Sequence, residues 1–112
     1  MRWLCLLVCA SALVAADKGA PPWERPSPTG QNLFREHCTV CHDIDKNQKT
    51  TRKLGPSLHH LFKNPQLPLS KGKPNRAYVV VRIQFGGPVM PAFGKKMNDA
   101  QIATLIAYLE SK

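Results

Sequence analysis

The clearest hydrophobic pattern lies at the C-terminal end of the chain. Apolar residues recur there at the i, i+3, i+4, i+7 spacing of one buried helix face, at Ile102, Leu105, Ile106 and Leu109. Asn98 can cap the start of this helix, and Gln101 stands at capping-box spacing from it. The pattern therefore predicts a helix that begins after Asn98 and packs one face against a core.

Two earlier segments are also predicted to be helical. Thr29 can cap a helix over residues 30–40, in which Leu33 and Phe34 share a face with the motif that follows. Residues 76–85 are rich in β-branched side chains, so propensity alone favours a strand. A lone strand would have no pairing partner, however, and Asn75 and the glycines at 86 and 87 supply a helix cap and a stop. We therefore expect a helix over residues 76–85.

Residues 1–16 have the features of a cleavable signal peptide. Arg2 gives a short positive region, an apolar run follows, and small residues stand before Asp17. The run is shorter than the roughly 20 apolar residues of a membrane-spanning helix, so an uncleaved anchor is the weaker alternative. Proline-rich residues 17–28 predict an extended N-terminal arm, and residues 29–112 form one small domain. We expect export to the periplasm and no transmembrane segment in the mature protein.

A cysteine–histidine motif at residues 38–42, Cys-Thr-Val-Cys-His, carries the candidate chemistry. Because the leader takes two cysteines with it, the mature chain keeps Cys38 and Cys41. Their spacing, with His42 directly after, is typical of covalent attachment of one haem c through two thioethers, with the histidine as an iron ligand. A disulfide or a redox Cys-x-x-Cys site is the alternative. A zinc site would need two further ligands.

The charge of the chain indicates the kind of partner. The formal net charge is +9 at pH 7. Such a basic surface favours electrostatic steering towards redox protein partners with acidic docking surfaces. Nucleic acid is not an expected partner, because the basic residues form no stripe with interleaved aromatic side chains and no known reading motif.

A glycine- and proline-rich segment at residues 86–94 precedes the last helix and predicts a shaped loop. Met90 lies between Pro88 and Pro91, so its backbone is restricted and its thioether can be aimed. A buried, gap-filling methionine is the alternative. As a possible iron ligand Met97, which lies beside the final helix, is a weaker candidate than Met90.

Several of these features resemble the class I cytochromes c. In that family a glycine and an aromatic residue stand four positions apart before the first haem cysteine, and Gly30 and Phe34 match this pattern. A leucine and an aromatic residue three apart in the last helix are matched by Leu105 and Tyr108. The resemblance implies an all-α fold, the small cytochrome c fold, with three to five helices around one covalently bound haem. Its N- and C-terminal helices cross, and glycine permits their close approach.

The resemblance also implies roles for site residues. His42 and Met90 are then the two iron ligands, with Met90 supplied by the family's Met-Pro unit before the last helix. The Pro56 carbonyl accepts a hydrogen bond from the His42 nitrogen that faces away from the iron, which fixes the imidazole. One departure is that the family's buried tryptophan near a haem propionate is missing, since Trp23 lies in the arm.

With both axial positions filled, the resemblance implies an electron transfer protein rather than an enzyme. It would be a one-electron carrier of a periplasmic or respiratory chain, as a monomer or in a redox complex. Two other classes stay open. The chain could be the haem c subunit of a periplasmic dehydrogenase or oxidase complex. It could also be a ligand-binding haem sensor or peroxidase, which requires Met90 to leave the iron.

Overall fold

The architecture is helical throughout the part of the chain that the structure describes. The structure, a computed structural model, describes residues 27–45, 53–67 and 70–112. Three α-helices follow one another as α1 (Gly30–His37), α2 (Arg76–Phe85) and α3 (Asp99–Glu110), with a 3-10 turn at Leu61–Lys63. No strand occurs among these residues. The predicted small all-α fold is therefore confirmed.

Each α-helix begins at the cap that the sequence predicts. The Thr29 hydroxyl and the Asn75 amide oxygen accept hydrogen bonds from the backbone N–H three residues later, at 3.2 and 2.8 Å. At α3 the capping box is reciprocal, since Asn98 and Gln101 each bond the other's backbone N–H, at 2.8 and 2.9 Å. These bonds satisfy N–H groups that have no partner within a helix.

Helix α2 forms where residue propensity alone favours a strand. Val79 and Ile83, one turn apart, are buried where α2 packs against α3. The described residues offer no strand with which this segment could pair, so burial of a helical face decides its conformation. The predicted helix over residues 76–85 is confirmed, and its bounds agree with the prediction.

Helices α1 and α3 cross at a bare backbone contact. A Cβ atom on Gly30 would lie 2.5 Å from the Tyr108 Cβ and 2.6 Å from the Thr104 carbonyl oxygen. The rings of Phe34 and Tyr108 then meet with centroids 6.0 Å apart. The crossing of the N- and C-terminal helices is thus confirmed, and it depends on the missing side chain at Gly30.

One hydrophobic core joins the three helices and the segment before α3. Its most buried side chains, Ile102, Leu105 and Ile106, come from the predicted face of α3. Met97 is 2% exposed and belongs to this core, whereas Met90 is partly buried and packs against it. The structure therefore gives Met97 the gap-filling role of an ordinary core methionine.

The N-terminal predictions fall mostly outside the described residues. The predicted signal peptide (1–16) lies there, as does the arm (17–28) with Trp23, except for its last two residues. Both stay predictions. Among the residues that are described, none of the helices is long and apolar enough to cross a membrane.

Replacing Gly30 tests the helix crossing. Gly30→Ala is expected to lower the free energy of unfolding by about 1–3 kcal/mol, because its methyl group overpacks a contact that has no room for it. Urea unfolding of the haem-loaded protein, followed by circular dichroism, measures this change. Gly72→Ala is the matched control, since its Cβ would meet only the Ser70 hydroxyl oxygen, at 3.5 Å. Equal unfolding midpoints for the two variants would contradict this account of the crossing.

Candidate functional site

The cysteine–histidine motif occupies a tight turn at the end of α1. The helix ends at His37, three residues before the predicted end, although the Cys38 N–H still bonds the Phe34 carbonyl at 2.8 Å. The N–H groups of Cys41 and His42 then both bond the Cys38 carbonyl, at 3.1 and 2.9 Å. This turn brings the two cysteines and the histidine together on one short piece of backbone.

The two cysteines of the motif are free, partly buried thiols. Burial, with a smaller contribution from Cys41, raises the pKa of the Cys38 thiol to about 11. A redox-active Cys-x-x-Cys site works through a thiolate, which requires a lowered pKa. At neutral pH Cys38 is protonated, so its environment does not favour the redox alternative.

The His42 ring is oriented by the backbone of a separate loop. Its Nδ1 lies 2.7 Å from the Pro56 carbonyl oxygen. A carbonyl oxygen can only accept, so Nδ1 carries a proton, and in the neutral form of the ring this leaves the lone pair on Nε2. The structure therefore brings His42 and Pro56 together in the way that the resemblance implies. The role of this bond towards an iron ion stays a prediction.

Gly55 supports the same ring and was not singled out from the sequence. Its N–H donates to the Cys41 carbonyl at 2.7 Å. A Cβ on Gly55 would lie 2.5 Å from Cε1 and 2.7 Å from Nδ1 of His42. Because the backbone packs directly on the imidazole, only glycine fits at this position. The only sign of this contact in the sequence is that a glycine stands directly before Pro56.

Lys53 connects the motif turn to the same loop, and it was not singled out from the sequence. Its Nζ donates to the Thr39 carbonyl at 2.6 Å and to the His42 carbonyl at 3.3 Å. It also approaches Oδ1 of the buried Asp43 at 3.0 Å, as an ion pair without hydrogen-bond alignment. These contacts join residues far apart in sequence, which local sequence patterns do not predict.

Met90 lies on a loop that is folded onto the end of α2. Its carbonyl accepts a hydrogen bond from the Gly87 N–H at 2.9 Å. Farther along the loop, the Phe93 and Gly94 N–H groups donate to the carbonyls of Ile83 and Gln84, at 2.9 and 3.1 Å. Met90 and Cys38 are on different segments, and both pack against the same hydrophobic core.

Exposed apolar side chains accompany these segments. Among the residues that the structure describes, the large hydrophobic ones left exposed are Val40, Leu54, Val81, Phe85 and Val89. Val40 lies within the motif, Leu54 precedes the loop at Gly55, and Val89 precedes Met90. Phe85, at the end of α2, is 75% exposed. Three of these side chains, Val40, Leu54 and Val89, therefore belong to the segments that carry the candidate site residues, where a large apolar group such as a porphyrin could cover them.

The remaining histidines have other partners. The His59 Nδ1 lies 3.1 Å from the Ile44 carbonyl oxygen, and its ring stacks on that of His60 with centroids 3.8 Å apart. The His37 ring meets the edge of Phe93, with centroids 5.8 Å apart. His37 and His59 therefore make contacts within the domain, the first with the core and the second with a neighbouring loop.

Comparison with known proteins places these features in a family. Residues 26–109 match the family described as "Cytochrome C oxidase, cbb3-type, subunit III". The chain is also 29% identical over 83 residues to a cytochrome c6 of Diacronema lutheri, an alignment that covers 74% of this chain and 92% of that protein. No solved structure matches the chain. The family match spans the motif turn, the Gly55 loop and the Met90 loop.

Replacing Gly55 tests the packing around His42. In Gly55→Ala the new methyl group displaces the imidazole from the Pro56 carbonyl. The fraction of chains that carry haem is expected to fall roughly tenfold, the scale on which loss of an outer contact weakens a metal site. Haem absorbance per polypeptide measures this fraction, with Gly72→Ala as the control. A Gly55→Ala protein with full haem content and an unchanged visible spectrum would refute this role.

Proposed function

The chain belongs to the c-type cytochromes, through the cbb3-type subunit III family that matches residues 26–109, and we propose that it carries single electrons between protein partners. The family implies haem c with iron as the cofactor and redox proteins as partners. We further propose that it acts in a periplasmic or respiratory chain, as a carrier and not as a catalyst. The observation that carries it is the His42 imidazole, oriented by Pro56 so that one nitrogen is free for a metal.

We assign the attachment of one haem to the motif turn. Cys38 and Cys41 are free thiols on one side of His42 and could each form a thioether. His42 and Met90 would hold the iron, through an imidazole nitrogen and a thioether sulfur. Pro56 would act on the first ligand by holding the imidazole and raising its basicity. The exposed apolar side chains around these segments are suited to contact the porphyrin.

The bound haem supplies a reversible one-electron change at iron. The residues of this chain would determine which reactions that iron can undergo. With His42 and Met90 both bound to the iron, no site would remain for oxygen or a substrate, and the thioether would favour the reduced state. Electron transfer then needs little rearrangement. This closed coordination favours a carrier over a sensor or peroxidase.

The family description supports a second candidate function. It names a subunit of a cytochrome c oxidase, so this chain could serve as the haem subunit of such a complex. Native size separates the two candidates, because a free carrier elutes alone and a subunit elutes with its partner. The signal-peptide pattern of residues 1–16 supports export in either case.

The docking surface is proposed from charge. Lys95 and Lys96 are exposed, follow the Met90 loop closely, and belong to a chain with a net charge of +9. The Lys96 Nζ lies 5.6 Å from the centroid of the Phe93 ring, which helps to place this charge beside the loop. Acidic partner surfaces would be steered towards such a region.

Removing the thioether tests the closed iron site. Ferrous wild-type protein at neutral pH is expected to bind carbon monoxide slowly, because Met90 must first leave the iron. Ferrous Met90→Ala is expected to bind it at least about tenfold faster, since removal of a competing ligand that contributes as little as about 1.4 kcal/mol changes binding tenfold. Met97→Leu is the matched control and should behave as wild type. Rapid binding by the wild type would refute the carrier proposal and favour a sensor or peroxidase.

Electron transfer with ferricyanide tests the docking charges. The rate of oxidation by this anion should fall as ionic strength rises, because salt screens its attraction to the basic surface. Lys95→Gln/Lys96→Gln should lower the low-salt rate more than Arg35→Gln/Lys63→Gln, which removes the same net charge elsewhere. If the two double variants give equal rates, the assignment of Lys95 and Lys96 is wrong.

A further inference from the structure

Arg82, one turn before the end of α2, is held in a defined position beside the Met90 loop. Its Nη1 donates to the Gly86 carbonyl at 3.2 Å, and its Nη2 donates to the Tyr78 hydroxyl at 2.7 Å. The guanidinium also lies over the Tyr78 ring, with Cζ 5.3 Å from the centroid. Two hydrogen bonds and a ring contact thus fix a side chain that has many rotamers in solution.

The bond between Arg82 and Tyr78 is reflected in the acidity of the phenol. The hydrogen bond from Arg82 lowers the pKa of the Tyr78 hydroxyl, and desolvation opposes this change only in part. A charged donor forms a stronger hydrogen bond than a neutral one. The Tyr78 hydroxyl therefore helps to hold the guanidinium at Nη2 while Nη1 binds the loop.

The two glycines after α2 connect Arg82 to the backbone of Met90. The Gly87 N–H donates to the Met90 carbonyl at 2.9 Å. A Cβ on Gly86, whose φ is +73°, would collide with this same carbonyl oxygen. A Cβ on Gly87 would collide with Nη1 of Arg82. The Arg82 guanidinium thus contacts the two glycines, and the two glycines contact the backbone of Met90.

The two arms of the loop differ in whether a side chain helps to hold them. The arm after Met90 is tied to α2 by main-chain bonds, from the Phe93 and Gly94 N–H groups to carbonyls in the last turn of the helix. The arm before Met90 is tied to α2 by one main-chain bond, from the Gly86 N–H to the Arg82 carbonyl at 2.9 Å, and by the side chain of Arg82, at the Gly86 carbonyl. A side-chain substitution can therefore weaken the hold on this first arm.

We propose that Arg82 is a positioning residue for Met90, which keeps the loop closed and the thioether directed at the iron. The proposal rests on the proposed function, in which Met90 is the second axial ligand. Opening of the loop separates the Gly87 N–H from the Met90 carbonyl and moves the thioether. Loss of the bond from Arg82 to Gly86 raises the population of this open state.

Four variants separate loop closure from general stability. Arg82→Met keeps an unbranched stem and removes all donors. Arg82→Lys keeps the charge but replaces the planar fork of nitrogens with a single nitrogen. Tyr78→Phe removes the hydroxyl and leaves Arg82 in place. Arg76→Met is the control, because Arg76 is on the same helix and pairs with Glu110, away from the loop.

Two readouts follow the loop in the haem-loaded protein. The first is the rate at which the ferrous protein binds carbon monoxide. The second is the hydrogen-exchange rate of the Gly87 amide, which depends on the chain alone. Arg82→Met should raise both rates about tenfold, since a hydrogen bond from a charged donor stabilises the closed loop by a factor of that order. Arg82→Lys and Tyr78→Phe should give intermediate rates, and Arg76→Met should stay within about twofold of wild type.

The outcomes distinguish failure of this proposal from failure of the proposed function. The proposal is overturned if Arg82→Met matches Arg76→Met in both readouts. Should Arg82→Met not fold, the same comparison between Tyr78→Phe and Arg76→Met decides. If Met90→Ala binds carbon monoxide no faster than wild type, Met90 is not the ligand and the function is wrong. Faster Gly87 exchange in Arg82→Met would then still show that Arg82 closes the loop.

Discussion

The contact between α1 and α3 at Gly30 is the constraint on which the site depends. Helix α1 can lie against Thr104 and Tyr108 only because no side chain separates the two backbones. Helix α1, packed against α3 in this way, ends at His37, and the motif turn begins at once with Cys38. The crossing therefore places the helix from which the motif turn leads.

Two separate sets of contacts position the candidate iron ligands. The loop at Gly55 and Pro56 packs on the His42 ring and accepts a hydrogen bond from its Nδ1. The last turn of α2 holds both arms of the Met90 loop, through main-chain bonds and the Arg82 side chain. Preorganised ligands of this kind keep the coordination of a metal unchanged between its two redox states, which suits rapid electron transfer.

The sequence predicted the features whose causes are local. Residues within a few positions of one another determine these features, which are the helix caps at Thr29, Asn75 and Asn98, the buried face of α3 and the motif itself. The crossing at Gly30 and the bond from His42 to Pro56 came from resemblance to a family. The contacts of Lys53 with the motif turn and of Arg82 with Gly86 escaped prediction. Long polar side chains have many rotamers, and the tertiary structure selects the one that binds.

The most direct test of the two-ligand iron site is the proton NMR spectrum of the reduced, haem-loaded protein. A methionine methyl group held against the face of a porphyrin is shifted far upfield by the ring current, beyond other methyl groups. We expect one such three-proton resonance in the wild type and its disappearance in Met90→Ala. A wild-type spectrum without this resonance, or its persistence in Met90→Ala, would contradict coordination of the iron by Met90.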